Sequence, residues 1–167
     1  MLRRTLFLLA PLLALTASFP ATALVVLPEI PSQLVEYAAS SGSLPPEYAW
    51  NTHVVIWTDG KLKLTHCKGY QTDGPSCTIS HAQIAAADID RILAALSASH
   101  LANRAAKAQD APPVGGGSDR GTIWLQGQAI DLPAFPVAKD ADRVRAVLDA
   151  IVAAVPKHLQ DTDQTPD

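Results

Sequence analysis

Both cysteines of the chain fall in the stretch WTDGKLKLTHCKGYQTDGPSC, Trp57 to Cys77, with His66 beside the first of them and two Asp-Gly turn signals alongside. Three chemistries use such residues: thiol redox work, metal ligation and a structural disulfide. Redox pairs favour the CxxC spacing, whereas Cys67 and Cys77 are nine residues apart across KGYQTDGPS, a spacer whose turn formers let the ends meet. The reading is a disulfide between Cys67 and Cys77, expected to add about 2.5–3 kcal/mol by closing a loop of this size. With both thiols consumed, a metal would need His53, His66, His81, His100 or His158, and these show no HxxxH or HExxH spacing. No metal site and no cofactor are expected.

Nucleophilic chemistry finds no better footing. The serines of GGGSDRG and TISHAQ lack the GxSxG elbow, and GGGSDRG lacks the lysine of a phosphate-binding loop. Asp88 with Asp90, and Asp140 with Asp142, fall in the first turns of expected helices, where capping and the helix dipole account for them. No catalytic residue is assigned, and the chain reads as a non-enzyme.

The ends and the charge bound the class. MLRRTLFLLAPLLALTASFPATA places Arg3 and Arg4 before an apolar run from Leu6 to Leu15 and small residues at Ala21 and Ala23, so residues 1–23 read as a secretory signal peptide. Its removal leaves 144 residues with 11 basic and 16 acidic side chains, a net charge of −5 and enough chain for one domain. An acidic balance without a basic cluster argues against nucleic acid. Nothing after the leader is apolar enough to insert in a membrane, so a periplasmic or secreted location is expected, where disulfides persist.

Elements that would position these residues follow from alternation. Residues 24–52, broken by Pro28, Pro31, Pro45 and Pro46, read as an N-terminal arm with a possible short helix at SQLVEY. HVVIWTDGKLKLTH is a hairpin signal. A three-residue turn Thr58-Asp59-Gly60 gathers Val54, Ile56, Leu62 and Leu64 on one face, with His53, Val55, Trp57, Lys61, Lys63 and Thr65 on the other. GTIWLQGQAIDLP gives a second hairpin; Gly127 opens a two-residue turn that pairs Gln126 with Ala129, and Ile123, Leu125, Ile130 and Leu132 face away from Trp124 and Asp131. CTISHAQI is a weaker strand whose alternation selects neither face.

ADIDRILAALSASH and DADRVRAVLDAIVAAVP carry apolar stripes at helical spacing, the second capped by Asp140 and stopped before Pro156. KAQDAPPVGGGSDRG between them reads as a flexible linker, and residues 157–167 as a disordered tail. Residues 53–156 thus form one α+β domain: an antiparallel sheet of about four to five strands with two helices on one face.

The turn in WTDGKLKL, the helix DIDRILAAL ending in SHLAN, the pair TIWLQGQAIDL and the helix DRVRAVLDAIV resemble, in pattern and order over roughly residues 53–155, the emfourins, small protein inhibitors of thermolysin-type metalloproteases, and similar secreted bacterial domains. The Arg and Gly-Gly-Phe signature of the emfourin first turn is absent here. The resemblance therefore implies the fold, and carries over no inhibitory residue.

Both hairpin registers send a tryptophan, Trp57 and Trp124, to the sheet face opposite the helices. Trp57, Lys61, Lys63 and Trp124 are therefore the candidate partner-binding residues, with loop tips near Gly69–Pro75 and Pro112–Gly117 as further contacts. The expected role is an exported protein-binding module, of inhibitor or immunity type toward an envelope or secreted protein. A structural or envelope accessory protein, its tryptophans covered by the arm, and a small hydrolase are the alternatives. The sequence leaves the oligomeric state and the strand order open.

Overall fold

The computed structural model describes residues 32–69, 76–113 and 115–160. Among the described residues the strands and α-helices run in the order β1 (Gln33–Ser40), β2 (Trp50–Trp57), β3 (Lys61–Lys68), β4 (Ser76–Gln83), α1 (Ala86–Ser99), β5 (Ser118–Leu125), β6 (Gln128–Leu132), α2 (Ala138–Ala154) and a single turn α3 (Lys157–Gln160), with a 3-10 turn Pro46–Tyr48 between β1 and β2. The strands form one six-stranded antiparallel sheet ordered β4-β3-β2-β1-β5-β6, one or two strands more than the sequence reading allowed. The α+β class and the two-layer arrangement hold.

The extra strand is β1, and it overturns the short helix expected at Ser32–Tyr37. Far from an arm over the domain, Gln33–Ser40 lies between β2 and β5 at the centre of the sheet. Two ladders of backbone hydrogen bonds outweigh anything a six-residue helix could gain. A β-bulge between Gln33 and Val35 hides the strand in the sequence, because it gives consecutive residues Leu34 and Val35 to the core and breaks the period of two.

Two ladders on the helix side carry the core. One runs Ala82, Leu62, Ile56, Val35, Ile123, Ile130 across all six strands, and the next runs Ser80, Leu64, Val54, Tyr37, Gly121, Leu132. Ile92 and Leu96 of α1, with Val144, Val147, Leu148 and Ile151 of α2, complete the buried cluster. Each such side chain removed from water contributes about 1.5–3 kcal/mol. Gly121 admits α2 at close range: a Cβ there would stand 3.0 Å from the Glu36 carbonyl and 3.5 Å from a Leu148 methyl.

Both hairpins place their side chains on the expected faces. Ile56 pairs with Leu62 and Val54 with Leu64 around the three-residue turn, with Gly60 in the left-handed region at φ 81°. The second turn differs from expectation. Gln126 and Gly127, at φ 51° and 79°, form the loop, and Leu125 pairs with Gln128. Positive φ at both central residues is the type I′ turn, whose twist suits a tight hairpin. The ladder thereby slides by a two-residue step, which leaves every side chain on its face.

Helix α1 ends on His100, left-handed at φ 55°, and Asp88 in its first turn accepts the Ala85 N–H at 3.1 Å. In α2, Val137 rather than Asp140 stands at the N-cap, and Asp140 is the third residue of the helix, in its first turn. Its carboxylate reaches the Lys107 N–H across 33 residues, a contact local sequence does not announce. The linker reading ends at Ser118, where β5 begins, and Ala108 bridges to Pro136. Residues 1–31, including the leader and the start of the arm, residues 70–75 and Val114 of the two loop tips, and residues 161–167 of the tail lie outside the described residues.

Candidate functional site

The side of the sheet away from the helices is built from four ladders. At the hairpin end, Gln83, Lys61 and Trp57 follow one another across β4, β3 and β2, and Trp124 stands beside Ala129 on the other side of β1. The next ladder reads His81, Lys63, Val55, Glu36, Thr122, Asp131, and the third Ile79, Thr65, His53, Ala38, Arg120. The last holds Cys77, Cys67, Asn51, Ser40 and Ser118. Trp57, Lys61, Lys63 and Trp124 thus share one face, the two tryptophans half-buried and about 10 Å apart by strand spacing.

The hairpin tip fixes the Trp57 end. Gly60 donates to the Trp57 carbonyl at 2.9 Å, and the Gln83 amide donates to the Asp59 carbonyl at 2.7 Å, tying the turn to β4. Asp59 accepts the Lys61 N–H and sits 2.7 Å from its ammonium, and these contacts hold the carboxyl below its ordinary range. Lys61 therefore presents its charge already oriented toward the turn. Beside it, a shallow depression is lined by Trp57, Lys61, His81 and Gln83.

Polar pairs cross-link the middle of the face. His53 Nε2 meets Glu36 Oε1 at 2.8 Å, and this bond, helped by Gln33, sets the Glu36 carboxyl below the usual carboxylate value. Thr122 donates to Asp131 at 3.2 Å. The Cys67–Cys77 disulfide forms as expected and joins β3 to β4 at the far end, with Cα atoms 4.0 Å apart. Such a bond forms and persists in an oxidising compartment. No helix among the described residues is long and apolar enough to cross a membrane.

Sequence reasoning left two features unassigned. Ile79, 56 % exposed, belongs to this open face; as the fourth residue of an edge strand polar on both sides it gives no alternation to read. Trp50 lies on the opposite, helix-facing side. It stacks on His66 with ring centres 6.3 Å apart, and Thr52 Oγ1 lies 2.9 Å from His66 Nδ1. These rings wall a cavity of about 460 Å³ between β2–β4 and the end of α2, closed by Val152, Val155 and Leu159.

Thr52 and His66 are direct cross-strand partners, so their contact follows from the ladder itself. His53 pairs with Thr65, which puts the two histidines on opposite faces, as the three-residue turn requires. Among the described residues, no three His, Cys, Asp or Glu side chains converge on one point. No known protein family matches the chain, and a search of curated proteins finds no match.

Proposed function

We propose that the protein is an exported, non-enzymatic binding module that engages an envelope or secreted protein, in the manner of an inhibitor or immunity protein. One observation carries the reading. Both long helices contribute to the core on one side of the sheet, and the other side bears Trp57, Trp124, Lys61 and Lys63, with both tryptophans half-buried. Half-buried tryptophans on a rigid sheet offer large contact area at little entropic cost, the property that makes Trp a frequent interface anchor. Within the supposed arm, Gln33–Ser40 is a strand inside the sheet and so is no cover for this face. Export rests on the leader-like residues 1–23 and accords with the disulfide.

The test is capture from the envelope and secreted fractions of the source organism by immobilised wild type, Trp57→Ala and Trp124→Ala proteins. Loss of the same captured protein with either substitution supports the reading. Capture indifferent to both retires this face. Inhibition assays against a thermolysin-type protease address the inhibitor form directly, and no effect at micromolar protein excludes it.

A further inference from the structure

The two edges of the sheet are β4 and β6, and they differ in how they meet solvent. β6 is five residues long, carries Asp131, runs into Pro133, and is followed by a segment tied to residues 107–109 through the Ala108–Pro136 bridge. These are the devices that blunt an edge. β4 has none of them. Its eight residues, SCTISHAQ, contain no proline and no Asp, Glu, Lys or Arg, and its pairing with β3 is unbroken from Ser76 to Gln83.

The phase of the hydrogen bonds can be fixed. Gly69 donates to the Ala49 carbonyl at 2.8 Å, so the odd-numbered residues of β3 bond to β2 and the even-numbered ones to β4. Ile84 donates to the Gly60 carbonyl at 2.9 Å, which makes the even-numbered residues of β4 the ones bonded to β3. The short 4.0 Å Cα separation of Cys67 and Cys77 agrees, since closely spaced opposite residues are the non-hydrogen-bonded ones. The N–H and C=O groups of Cys77, Ile79 and His81 therefore point out along the edge. No described segment pairs with them.

We propose that β4 is a homotypic edge: a second copy of this chain adds its own β4 antiparallel to the first, about a two-fold axis through Ile79. In that register Ile79 faces Ile79, and Cys77 faces His81 in both directions. All three are hydrogen-bonded pairs, so every outward group from Cys77 to His81 is satisfied. Ser76 then faces Ala82 and Thr78 faces Ser80, small side chains that let the strands close. Electrostatics favours a second copy over a charged partner strand. A two-fold axis sets like against like, and a chain with an acidic excess tolerates that only where the strand has no charge, as here. Ile79, more than half exposed in the monomer, would gain its twin as cover. The two-fold closes the edge, so association stops at two copies and joins two six-stranded sheets into one of twelve.

Sedimentation velocity on the purified full chain tests this, with Ile79→Lys and Ile79→Glu alone and mixed. The expected result is a wild-type dimer at micromolar concentration, monomers for each variant alone, and a one-to-one dimer when the variants are mixed. Because position 79 faces itself only in this arrangement, rescue by the opposite charge reports the axis, and it also shows that both variants fold. A monomeric wild type, a dimer that survives Ile79→Lys, an assembly larger than two, or a mixture that stays monomeric each overturns the proposal.

Discussion

Asp140 Oδ1 lies 2.8 Å from Arg143 Nη1, one helical turn away, with the Asp140 side chain only 3 % exposed. The pair holds three segments together. The other Asp140 oxygen accepts the Lys107 N–H, while Arg143 donates through Nε to the Ser99 carbonyl and through Nη2 to that of Arg104. The end of α1, the strand of loop after it and the first turn of α2 thus meet at one ion pair. The Lys107 N–H, then the charges of Arg143, Lys139 and Arg104, hold the Asp140 carboxyl below its ordinary value.

A depressed carboxyl pKa means that folding favours the ionised form. Its stabilisation is complete above the unfolded value, about 3.9, and is lost as pH falls through the folded one. The urea midpoint should therefore drop below about pH 4. Asp140→Asn should lower the midpoint at neutral pH and flatten the acid decline, because breaking one side of a buried pair leaves Arg143 uncompensated. An Asn variant with the wild-type pH profile would show that another group governs the acid limb.

What could be read in advance divides along the same line between local and non-local cause. Val54, Ile56, Leu62 and Leu64 fix the first hairpin because only one turn length gathers all four on a face. Trp57 and Trp124 go to the open side for that reason alone, which makes the face of the candidate site legible. β1 was illegible because its bulge imitates a helical stripe, and Asp140 because its partner lies 33 residues away. Ile79 and Trp50 sit in strand stretches polar on both faces, where alternation carries no signal until the neighbouring strands are known.

Gly60 and Gly127 share a left-handed backbone, yet they should respond differently to a methyl group. At Gly127, φ 79°, a Cβ meets nothing within 4 Å, so alanine should cost only the left-handed strain, about 1–2 kcal/mol. At Gly60, φ 81°, the Cβ would fall 2.5 Å from the Gln83 amide nitrogen and 2.9 Å from the Ile84 carbonyl. Gln83 can swing away. Ile84 cannot, being buried and bonded through its N–H to the Gly60 carbonyl. Denaturant unfolding should rank Gly60→Ala below Gly127→Ala by a further 1 kcal/mol or so; equal losses would mean that the Ile84 backbone yields.

The disulfide should matter most where β4 has least else to hold it. Around Cys77 the strand packs no large buried side chain, whereas at its other end Leu62 and Ile84 are in the core. Replacing Cys67 and Cys77 by serine opens a closure of sequence separation 10. It should cost about 2.5–3 kcal/mol, mostly by freeing the unfolded chain. Amide exchange should accelerate at Thr78, whose N–H faces β3, and far less at Ala82. Uniform acceleration along β4 would indicate that the strand opens as a unit.

Tyr37 sets the alkaline limit. Its phenol is pushed up to about 12, first by burial and next by Asp119, with Arg145 opposing and Asp149 adding. The ladder explains the geometry: Ala39 pairs with Asp119, one step along the helix-facing side from Tyr37 and its partner Gly121. An acid whose folded pKa is raised favours folding while neutral. The contribution is fully present below the unfolded value near 10 and is lost as pH climbs through the folded one. Stability should therefore decline between about pH 10 and 12. Tyr37→Phe should move alkaline unfolding to higher pH and remove the late component of the tyrosinate absorbance titration. If that component survives the substitution, burial of Tyr37 is not what resists ionisation, and the charge on Asp119 would have to be tested in its place by Asp119→Asn.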